Sequence, residues 1–440
     1  MNGEAFFMIN EIKRFELSDG VIGNFIPTTR FKTARLSVSF YVPMREDTAS
    51  AYALLPFILT GCGKEYPTSR IISRHLDNLY NAALACECTK LGDLQLLSVS
   101  ITCMENKYAL DGSDIILKCA NMLSSLIFNP LCDEGGFEEQ NFEKEKRLML
   151  ERIDSEINNK RSYALSRCVA EVCKGEPCSI PRYGSRQGQV ELTRGELYAA
   201  WETLLRTAYV RIGYLASEEN EKVFDILGKA FSNLDRKVID INNPIVSPAK
   251  ETVSEIHDRM PVKQGKLVLG FRTNIHGGDK DTYKVMVTTD LFGGGPYSRL
   301  FDNVREKMSL CYYCSAGFNR SKGLIMVQSG IENENEQKAT DAILAQLEDI
   351  KNGNFTDEEF DASIKGLTNL AYGVCDTPEG IDRWYGGQML DSEIITPEEY
   401  ASLISAITRE QVIAAAQCVT LDTVYMLAGT GTEDEEEVTE

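Results

Sequence analysis

The sequence predicts an α+β protein with two homologous domains, and three observations support this prediction. Apolar residues alternate with a period of two in some segments and recur at helical spacing in others, so strands and helices are mixed. Two segments that begin 215 residues apart share the pattern of a capped helix followed by a hydrophobic strand. A proline-containing stretch without clear periodicity lies between them and is typical of a linker.

Strands and helices are predicted in both halves of the chain. Strands are predicted where apolar residues alternate, at 36–42, 97–103, 267–271 and 323–330. Amphipathic helices are predicted around 149–157 and 343–350, where apolar residues recur every three or four positions. This mixture favours, in each domain, a mostly antiparallel sheet packed with helices.

The internal repeat is clearest near the end of each domain. LTRGELYAAWETLLRTAYVRIGYLAS begins at Leu192, and ITREQVIAAAQCVTLDTVYMLAGT begins at Ile407. Each segment opens with a capping box, in which a Thr at the helix start pairs with a Glu or Gln three residues later. The two boxes pair Thr193 with Glu196 and Thr408 with Gln411. We interpret the repeat as a duplicated domain; the alternative is that capping boxes are common and the similarity arose by chance.

The repeat divides the chain into four parts. We predict an N-terminal domain at 1–235, a linker at 236–250, a C-terminal domain at 251–430 and a tail at 431–440. The linker includes DINNPIVSPAK, which contains two prolines. The tail, GTEDEEEVTE, holds six acidic residues, and we expect it to be solvated and disordered.

Charge and composition exclude several classes of function. The chain has 46 Lys and Arg against 66 Asp and Glu, a net charge of −20, whereas affinity for nucleic acid or anionic membranes needs basic patches. The N-terminus lacks a basic region followed by an apolar stretch, and the longest apolar run, 51–59, is much shorter than the roughly 20 residues that span a membrane. Thirteen scattered cysteines, an odd number, indicate reduced thiols and a cytoplasmic protein.

Two groups of cysteines resemble metal or redox sites. Cys311 and Cys314 form a C-x-x-C motif. They lie in a predicted strand, however, where an offset of three residues points the two thiols to opposite faces. No second C-x-x-C accompanies them, so we interpret both as structural. Three further cysteines precede a proline-rich turn and are interpreted in the same way: Cys168, Cys173 and Cys178.

Three segments resemble the pitrilysin/insulinase-type (inverzincin) zinc peptidases. Segment 292–318, FGGGPYSRLFDNVREKMSLCYYCSAGF, is very similar to the family's R-L-F-x-x-(V/L)-R-E-K-x-G-L-x-Y segment. Segment 181–216 resembles its P-Y-G-x-x-x-G…L-T-x-x-x-L…Y-x-P-x-N segment, and 138–159 resembles its E-K-E-K-x-V-V-L-E-E-I helix. The resemblance covers nearly the whole chain. It implies two homologous domains that form a clamshell around a cavity.

The zinc motif of that family is missing. The family's chemistry needs H-x-x-E-H on a helix, because two His one turn apart hold Zn²⁺ while the Glu acts as general base on the bound water. Ungapped from Gly61, the three motif positions fall on Tyr52, Leu55 and Pro56, and the distal carboxylate position falls at Arg152. The register of the last position is open by a few residues, because three glutamates are nearby: Glu143, Glu145 and Glu151. We expect no catalytic residue, no metal and no cofactor in this chain.

The resemblance implies that two substrate-binding residues are retained. In the family, an Arg and a Tyr seven residues apart bind the substrate backbone and the developing oxyanion; here they correspond to Arg305 and Tyr312. A helix that ends near Lys307 and a strand that begins near Leu310 would place both side chains at the same cleft mouth. A guanidinium offers a fork of donors, and a phenol a single donor, to a carbonyl oxygen. The alternative is that Arg305 makes a surface salt bridge and Tyr312 packs in a core.

The resemblance implies a non-catalytic, peptide-binding subunit of a heterodimeric, bacterial pitrilysin-like metallopeptidase. The chain resembles the metal-free member of the family's split pairs, among them bacterial pairs associated with elongation factor P modification or peptide maturation. The partner subunit would supply H-x-x-E-H and zinc, a peptide would be the substrate, and the isolated chain would be inactive and could form a homodimer. The alternative is a purely structural or binding scaffold of the same fold, such as the core subunits of respiratory complexes. Retention of Arg305 and Tyr312 favours the peptidase subunit.

Overall fold

A computed structural model describes residues 12–241, 244–391 and 393–430. The predicted acidic tail, 431–440, lies outside these residues. The strands in chain order are β1 (Lys13–Ser18), β2 (Val21–Pro27), β3 (Thr33–Pro43), β4 (Ala83–Leu91), β5 (Leu94–Met104), β6 (Cys132–Asp133), β7 (Gly136–Phe137), β8 (Tyr209–Ala216), β9 (Ser254–Met260), β10 (Gly265–Arg272), β11 (Cys311–Asn319), β12 (Leu324–Ile331) and β13 (Thr420–Gly429). The strands predicted from alternation correspond to β3, β5, β10 and β12.

The α-helices are α1 (Ala49–Gly61), α2 (Ser69–Asn78), α3 (Ile115–Phe128), α4 (Glu139–Ser155), α5 (Lys160–Val172), α6 (Arg186–Glu191), α7 (Arg194–Thr207), α8 (Glu221–Ser232), α9 (Thr282–Gly293), α10 (Glu336–Lys351), α11 (Asp357–Gly373), α12 (Pro378–Gly386), α13 (Pro397–Ser405) and α14 (Arg409–Gln417). A π-helix spans Leu300–Lys307. Single 3-10 turns lie at Asn106–Tyr108, Glu156–Asn158, Pro177–Ser179, Asn333–Asn335 and Val374–Asp376. In the described ranges, no helix is both long and apolar enough to cross a bilayer.

Two large sheets share one strand order. The first runs β1-β2-β8-β3-β5-β4, and the second runs β11-β12-β10-β13-β9. If β1 is left out of the first sheet and the second sheet is read in reverse, the two orders match. Strands β4, β5, β3, β8 and β2 then correspond, in this order, to β11, β12, β10, β13 and β9. The pairing directions also agree, because β2–β8 and β9–β13 are parallel while the other pairs are antiparallel. The prediction of two homologous, mostly antiparallel α+β domains is confirmed.

The predicted capping boxes open equivalent helices. Thr193 accepts a hydrogen bond from the Glu196 amide while the Glu196 carboxylate accepts one from the Thr193 amide, and α7 then leads into β8. Thr408 and Gln411 make the same reciprocal bonds, and α14 leads into β13. The similarity of the two segments therefore reflects equivalent positions in the two sheets.

The chain forms two compact units that are not simple halves of the sequence. Unit 1 comprises 1–154, 180–243 and 374–390, and unit 2 comprises 155–179, 244–373 and 391–440. Helix α5, from the first half, packs on β10 and β13 of unit 2. Helix α12, from the second half, packs on β3 and β8 of unit 1. The two halves of the sequence thus exchange one helix each. The strands that α5 covers, β10 and β13, correspond to β3 and β8, which α12 covers.

Alternation along β3 explains how the sheet of unit 1 is covered on both faces. Leu36, Val38 and Phe40 point into the large apolar core, which helices α1, α3 and α8 complete. The intervening polar residues point to the opposite face, where α12 lies. The buried Asp382 of α12 accepts hydrogen bonds there from Arg211 at 2.7 Å and from Arg35 at 3.0 Å. Burial of so much charge requires such pairing.

A comparable ion cluster lies between α5 and the sheet of unit 2. Glu176, which follows α5, is 2.5 Å from Arg272 of β10 and 2.6 Å from Lys322. Both basic side chains are buried together with the carboxylate. Each exchanged helix is therefore held by apolar packing and by a buried carboxylate that binds two basic residues.

Candidate functional site

The three positions expected to correspond to the zinc motif lie on α1, which is buried along most of its length. Tyr52, Leu55 and Pro56 are buried, and Leu55 is 0% exposed. The helix packs against α7, β4 and β5, so its apolar side chains fill the space between these elements. Burial raises the pKa of Tyr52. Pro56 has no N–H to donate to the Tyr52 carbonyl one turn earlier.

Helix α4 places Arg152 beside α1. The Asn141 side-chain amide donates a hydrogen bond to the Ile58 carbonyl at 3.0 Å, so the two helices are in contact. The Arg152 guanidinium lies 4.0 Å from the centre of the Phe57 ring, a cation–π contact. A zinc site would need His or carboxylate ligands here. Leu55, Pro56 and Arg152 offer none, so these three positions do not fit zinc.

A second group of potential metal ligands lies in unit 2. Cys173, Glu176 and Cys178 are buried, and their ligand atoms lie within 4.8 Å of one another. Glu176, however, is paired with both Arg272 and Lys322. Its negative charge is already compensated, and the two cations would repel a metal ion. This arrangement is better explained as the attachment of α5 to its sheet.

Arg305 lies in the π-helix, which directly precedes the edge strand β11. The Met308 N–H donates to the Asn303 carbonyl, five residues earlier, at 2.9 Å, which is the hydrogen bond of a π-turn. The Arg305 guanidinium lies 4.4 Å from the centre of the Phe301 ring and 3.5 Å from the Glu306 carboxylate. Its side chain is 38% exposed. Stacking on Phe301 therefore holds the guanidinium at the surface, where it can meet a ligand.

A tight connection joins the π-helix to β11. Ser309 has a φ of 53°, in the left-handed region that non-glycine residues seldom adopt. This conformation lets the chain leave the helix and enter the strand within a few residues. Arg305 and Tyr312 thus lie on the two sides of this connection, before and just after the start of β11.

Tyr312 is 54% exposed, so it does not pack in a core. Its hydroxyl donates a hydrogen bond to the Glu332 carboxylate at 2.6 Å, directly after β12. This bond to a carboxylate raises the pKa of Tyr312. In this structure the hydroxyl proton of Tyr312 is therefore engaged by Glu332.

A β-bulge at Tyr312 reverses the expectation for the two cysteines. Cys311 pairs with Ile331 and Cys314 pairs with Ser329, while Tyr313 pairs with Gly330. Residues 329 and 331 point to the same face of β12, so Cys311 and Cys314 share a face as well. The two thiols are close enough for each to shift the pKa of the other. The prediction that an offset of three separates them was wrong, because the bulge inserts one extra residue.

Two neighbours of the predicted pair were missed. Phe301 could have been found, because residues four apart are neighbours on a helix and Phe301 precedes Arg305 by four. Glu332 carries no local signal, since it comes beside Tyr312 only through the pairing of β11 with β12. The bulge that aims Tyr312 outward has no local signal either.

Comparison with known proteins relates the chain to peptidases. A family model described as Peptidase M16 inactive domain matches residues 191–367. The "Probable inactive metalloprotease YmfF" of Bacillus subtilis (strain 168) is 30% identical over 424 residues, which are 96% of this chain and 98% of that protein. The "Uncharacterized zinc protease YmxG" of the same organism is 26% identical over 158 residues, 35% of this chain and 38% of that protein.

Solved structures share the whole fold. A conserved protein from Enterococcus faecalis V583 superimposes with a TM-score of 0.88 at 26% identity, over 96% of this chain and 100% of that one. A peptidase M16 inactive domain from Pseudomonas fluorescens gives a TM-score of 0.78 at 18% identity, with the same coverage. The second likeness concerns the fold alone.

Proposed function

Because this chain belongs to the M16 peptidase family as an inactive, metalloprotease-like member, we propose that it is the non-catalytic, peptide-binding subunit of a heterodimeric peptidase. The partner subunit would carry H-x-x-E-H and its zinc. One contrast carries the proposal: the positions of the lost motif are buried in a core, whereas Arg305 and Tyr312 are exposed at the edge of a sheet.

The position of β11 supports binding of an extended peptide. In the described residues β11 pairs with β12 alone and is the edge strand of its sheet. An edge strand presents backbone N–H and C=O groups to which a peptide can be added as a further strand. Such pairing depends little on the peptide's side chains, which suits a subunit that holds many sequences.

Arg305 and Tyr312 supply donors at the point where β11 begins. The Arg305 fork can bind a peptide carbonyl while its flat face stays on Phe301. The Tyr312 hydroxyl can exchange the Glu332 carboxylate for a second carbonyl, because both side chains are exposed. The chain would thus orient the peptide backbone, and water activation would take place on the partner.

Reconstitution tests this function. The chain is mixed with an H-x-x-E-H subunit of the same host, preferably one encoded beside it, and cleavage of a quenched fluorescent peptide pool is measured. We expect the mixture to cleave faster than either chain alone. Arg305→Ala and Tyr312→Phe should each lower kcat/KM of the mixture about tenfold or more, since a preorganised donor to a reacting carbonyl contributes at least this much.

Two exposed residues of unit 1 provide matched controls. Arg147→Ala removes an exposed guanidinium from α4, and Tyr108→Phe removes an exposed phenol hydroxyl from a surface turn. Both substitutions should leave cleavage unchanged. Cleavage by the mixture that equals cleavage by the partner alone would contradict the proposal and favour a scaffold. Cleavage that is enhanced but insensitive to Arg305→Ala and Tyr312→Phe would remove the role of these residues alone.

A further inference from the structure

Cys311 and Cys314 form a dithiol in which one sulfur is accessible and the other is buried. Cys311 is half-buried, whereas Cys314 is 4% exposed. Both thiols interact with each other and with the Ser329 hydroxyl. Because they face the same side of the sheet and their partners are two residues apart, their Cα atoms are separated by about 6.7 Å along the strand. This separation lies at the upper end of the range that disulfides bridge.

The surroundings of the pair give the two sulfurs different reactivity. The Cys314 thiol, the Ser329 hydroxyl and the positive charge of Arg305 lower the pKa of Cys311 to about 7. The same contact, together with burial, raises the pKa of Cys314 well above its ordinary value. Cys311 is therefore the thiolate that attacks, and Cys314 is the thiol that resolves.

We propose that Cys311 and Cys314 are a reversible thiol–disulfide site that adjoins the peptide-binding pair. Its oxidant is a low-molecular-weight disulfide, the oxidised form of a small cellular thiol. Formation of the disulfide stands independently of the proposed function, whereas its effect on peptide binding rests on that function.

The reaction balances as two thiol–disulfide exchanges. The Cys311 thiolate attacks one sulfur of the small disulfide, which forms a mixed disulfide and releases one small thiolate. Cys314 then loses its proton and attacks the Cys311 sulfur, which forms the intrachain disulfide and releases the second small thiolate. The protein loses two electrons and two protons, and the small disulfide is reduced to two thiols.

The disulfide would act on Tyr312, one of the two residues that lie between the two cysteines. Tyr312 sits in the bulge that Cys311 and Cys314 flank, so a covalent link across the bulge restricts its backbone. Oxidation also removes the thiolate that Arg305 faces. Both substrate-binding side chains therefore change their surroundings when the disulfide forms.

A second dithiol in the same unit provides an internal comparison. The sulfurs of Cys173 and Cys178 also lie within 4.8 Å of each other, but the two residues are 0% and 3% exposed. Contact with Cys178, together with burial, raises the pKa of Cys173. A small disulfide cannot reach either sulfur in the folded protein, so this pair should stay reduced.

The test uses the folded full chain and oxidised glutathione. After incubation, the protein is denatured, its thiols are alkylated, and tryptic peptides are analysed by mass spectrometry. Cys311 and Cys314 lie in one peptide, 308–320, so their disulfide appears as the loss of two hydrogens and of both alkyl groups. We expect this form to accumulate and to disappear on treatment with reduced glutathione, while Cys173 and Cys178 are alkylated throughout.

Single substitutions separate the two roles. Cys314→Ser should trap Cys311 as a mixed disulfide with glutathione, whereas Cys311→Ser should leave Cys314 as an alkylatable thiol. Cys314→Ala replaces Cys314→Ser if the serine variant does not fold. The search for the disulfide in peptide 308–320 uses the wild-type protein and therefore does not depend on any variant. The proposal is overturned if peptide 308–320 keeps both thiols under conditions in which the exposed Cys132 and Cys418 become glutathionylated.

A separate measurement tests the effect on binding. Affinity for a fluorescein-labelled, capped, proline-free peptide of mixed sequence is compared between the reduced and oxidised chain. We expect a change of about fivefold or more, the lower end of usual couplings between sites, and none in Cys311→Ser. If the disulfide forms but the measured peptide affinity does not change, the proposed effect on binding is overturned, whereas the disulfide itself stands. Absence of peptide binding in both states counts against the proposed function and leaves the mass-spectrometric result to decide the disulfide.

Discussion

The guanidinium of Arg152, on α4, lies 4.0 Å from the ring centre of Phe57, on α1. The contact brings a cation onto an aromatic face, an interaction of about 0.5–2 kcal/mol. It joins α4 to α1 and places a positive charge beside the helix, where it would repel a metal ion. A metal ion at this place would therefore require the contact to be undone.

Restoring the motif should destabilise the protein without creating a zinc site. The variant combines four substitutions: Tyr52→His, Leu55→Glu, Pro56→His and Arg152→Glu. It would bury a carboxylate at position 55, where the native Leu55 is 0% exposed. We expect a loss of about 3 kcal/mol or more in the free energy of unfolding, because a buried charge needs compensation. Urea unfolding and elemental analysis measure the two effects. Leu55→Met, which conserves volume, should cost less than about 1.5 kcal/mol; a stable variant with one zinc per chain would contradict the prediction.

Removing the carboxylate that binds Tyr312 should strengthen peptide binding. Glu332→Gln weakens the acceptor of the Tyr312 hydroxyl, so a peptide carbonyl competes more easily and affinity should rise severalfold. The pKa of Tyr312 should also fall toward its ordinary value, because Glu332 is the main cause of its increase. Ultraviolet titration against Tyr312→Phe measures the second effect. Glu334→Gln, two residues further on, is the control; equal effects of both substitutions would speak against a specific contact.

Substitution of Asp382 should loosen α12 and change the response to acid. Burial alone would raise the pKa of Asp382, but Arg211 and Arg35 outweigh it and lower the pKa below its ordinary value of 3.8. The stability that Asp382 contributes is therefore present above the unfolded pKa and is lost as the pH falls through the folded pKa. Asp382→Asn should cost about 3–5 kcal/mol at pH 7, because it leaves two arginines unpaired with a charge.

The acid dependence provides the check on that substitution. Urea unfolding at pH 7 and near pH 3 should show a larger loss on acidification for the wild type than for Asp382→Asn. Asp154→Asn, which removes an exposed partner of Arg186, should have little effect at either pH. Parallel acid curves for wild type and Asp382→Asn would show that the cluster does not contribute in this way.

Alkylation of Cys311 should depend on pH near neutrality. Its pKa is lowered to about 7, chiefly by the Cys314 thiol, then by the Ser329 hydroxyl and Arg305. The rate with iodoacetamide should rise through pH 7, whereas an exposed thiol without such neighbours rises near its ordinary value of about 8.5. Cys314→Ala should move the midpoint upward more than Arg305→Ala does. A midpoint that neither substitution moves would show that these groups do not stabilise the thiolate.

Local signals in the sequence predicted much of the fold. The capping boxes at Thr193 and Thr408 depend only on residues three positions apart, so they could be identified without knowledge of the sheets. The strands also followed from alternation, because one face of each meets an apolar core. The exchange of α5 and α12 could not be predicted, since an amphipathic helix has the same pattern whichever sheet it covers.

The candidate site could be predicted only in part, because some of its contacts join residues that are distant in the sequence. Arg305 and Tyr312 were located by a motif and by the expected change from helix to strand. Their partners depend on longer distances: Glu332 reaches Tyr312 across the β11–β12 pair, and the bulge depends on where β12 places Gly330. An added side-chain carbon at Gly330 would lie 2.5 Å from the Tyr313 ring, so close packing between strands fixes this register.

The exchange of α5 and α12 also fixes the order in which the protein can be completed during synthesis. The ribosome must release residue 386 before the first sheet receives the helix that covers its second face. Until then, Arg35 and Arg211 lack the carboxylate that neutralises them. Completion of the second face of the first sheet therefore depends on translation as far as α12.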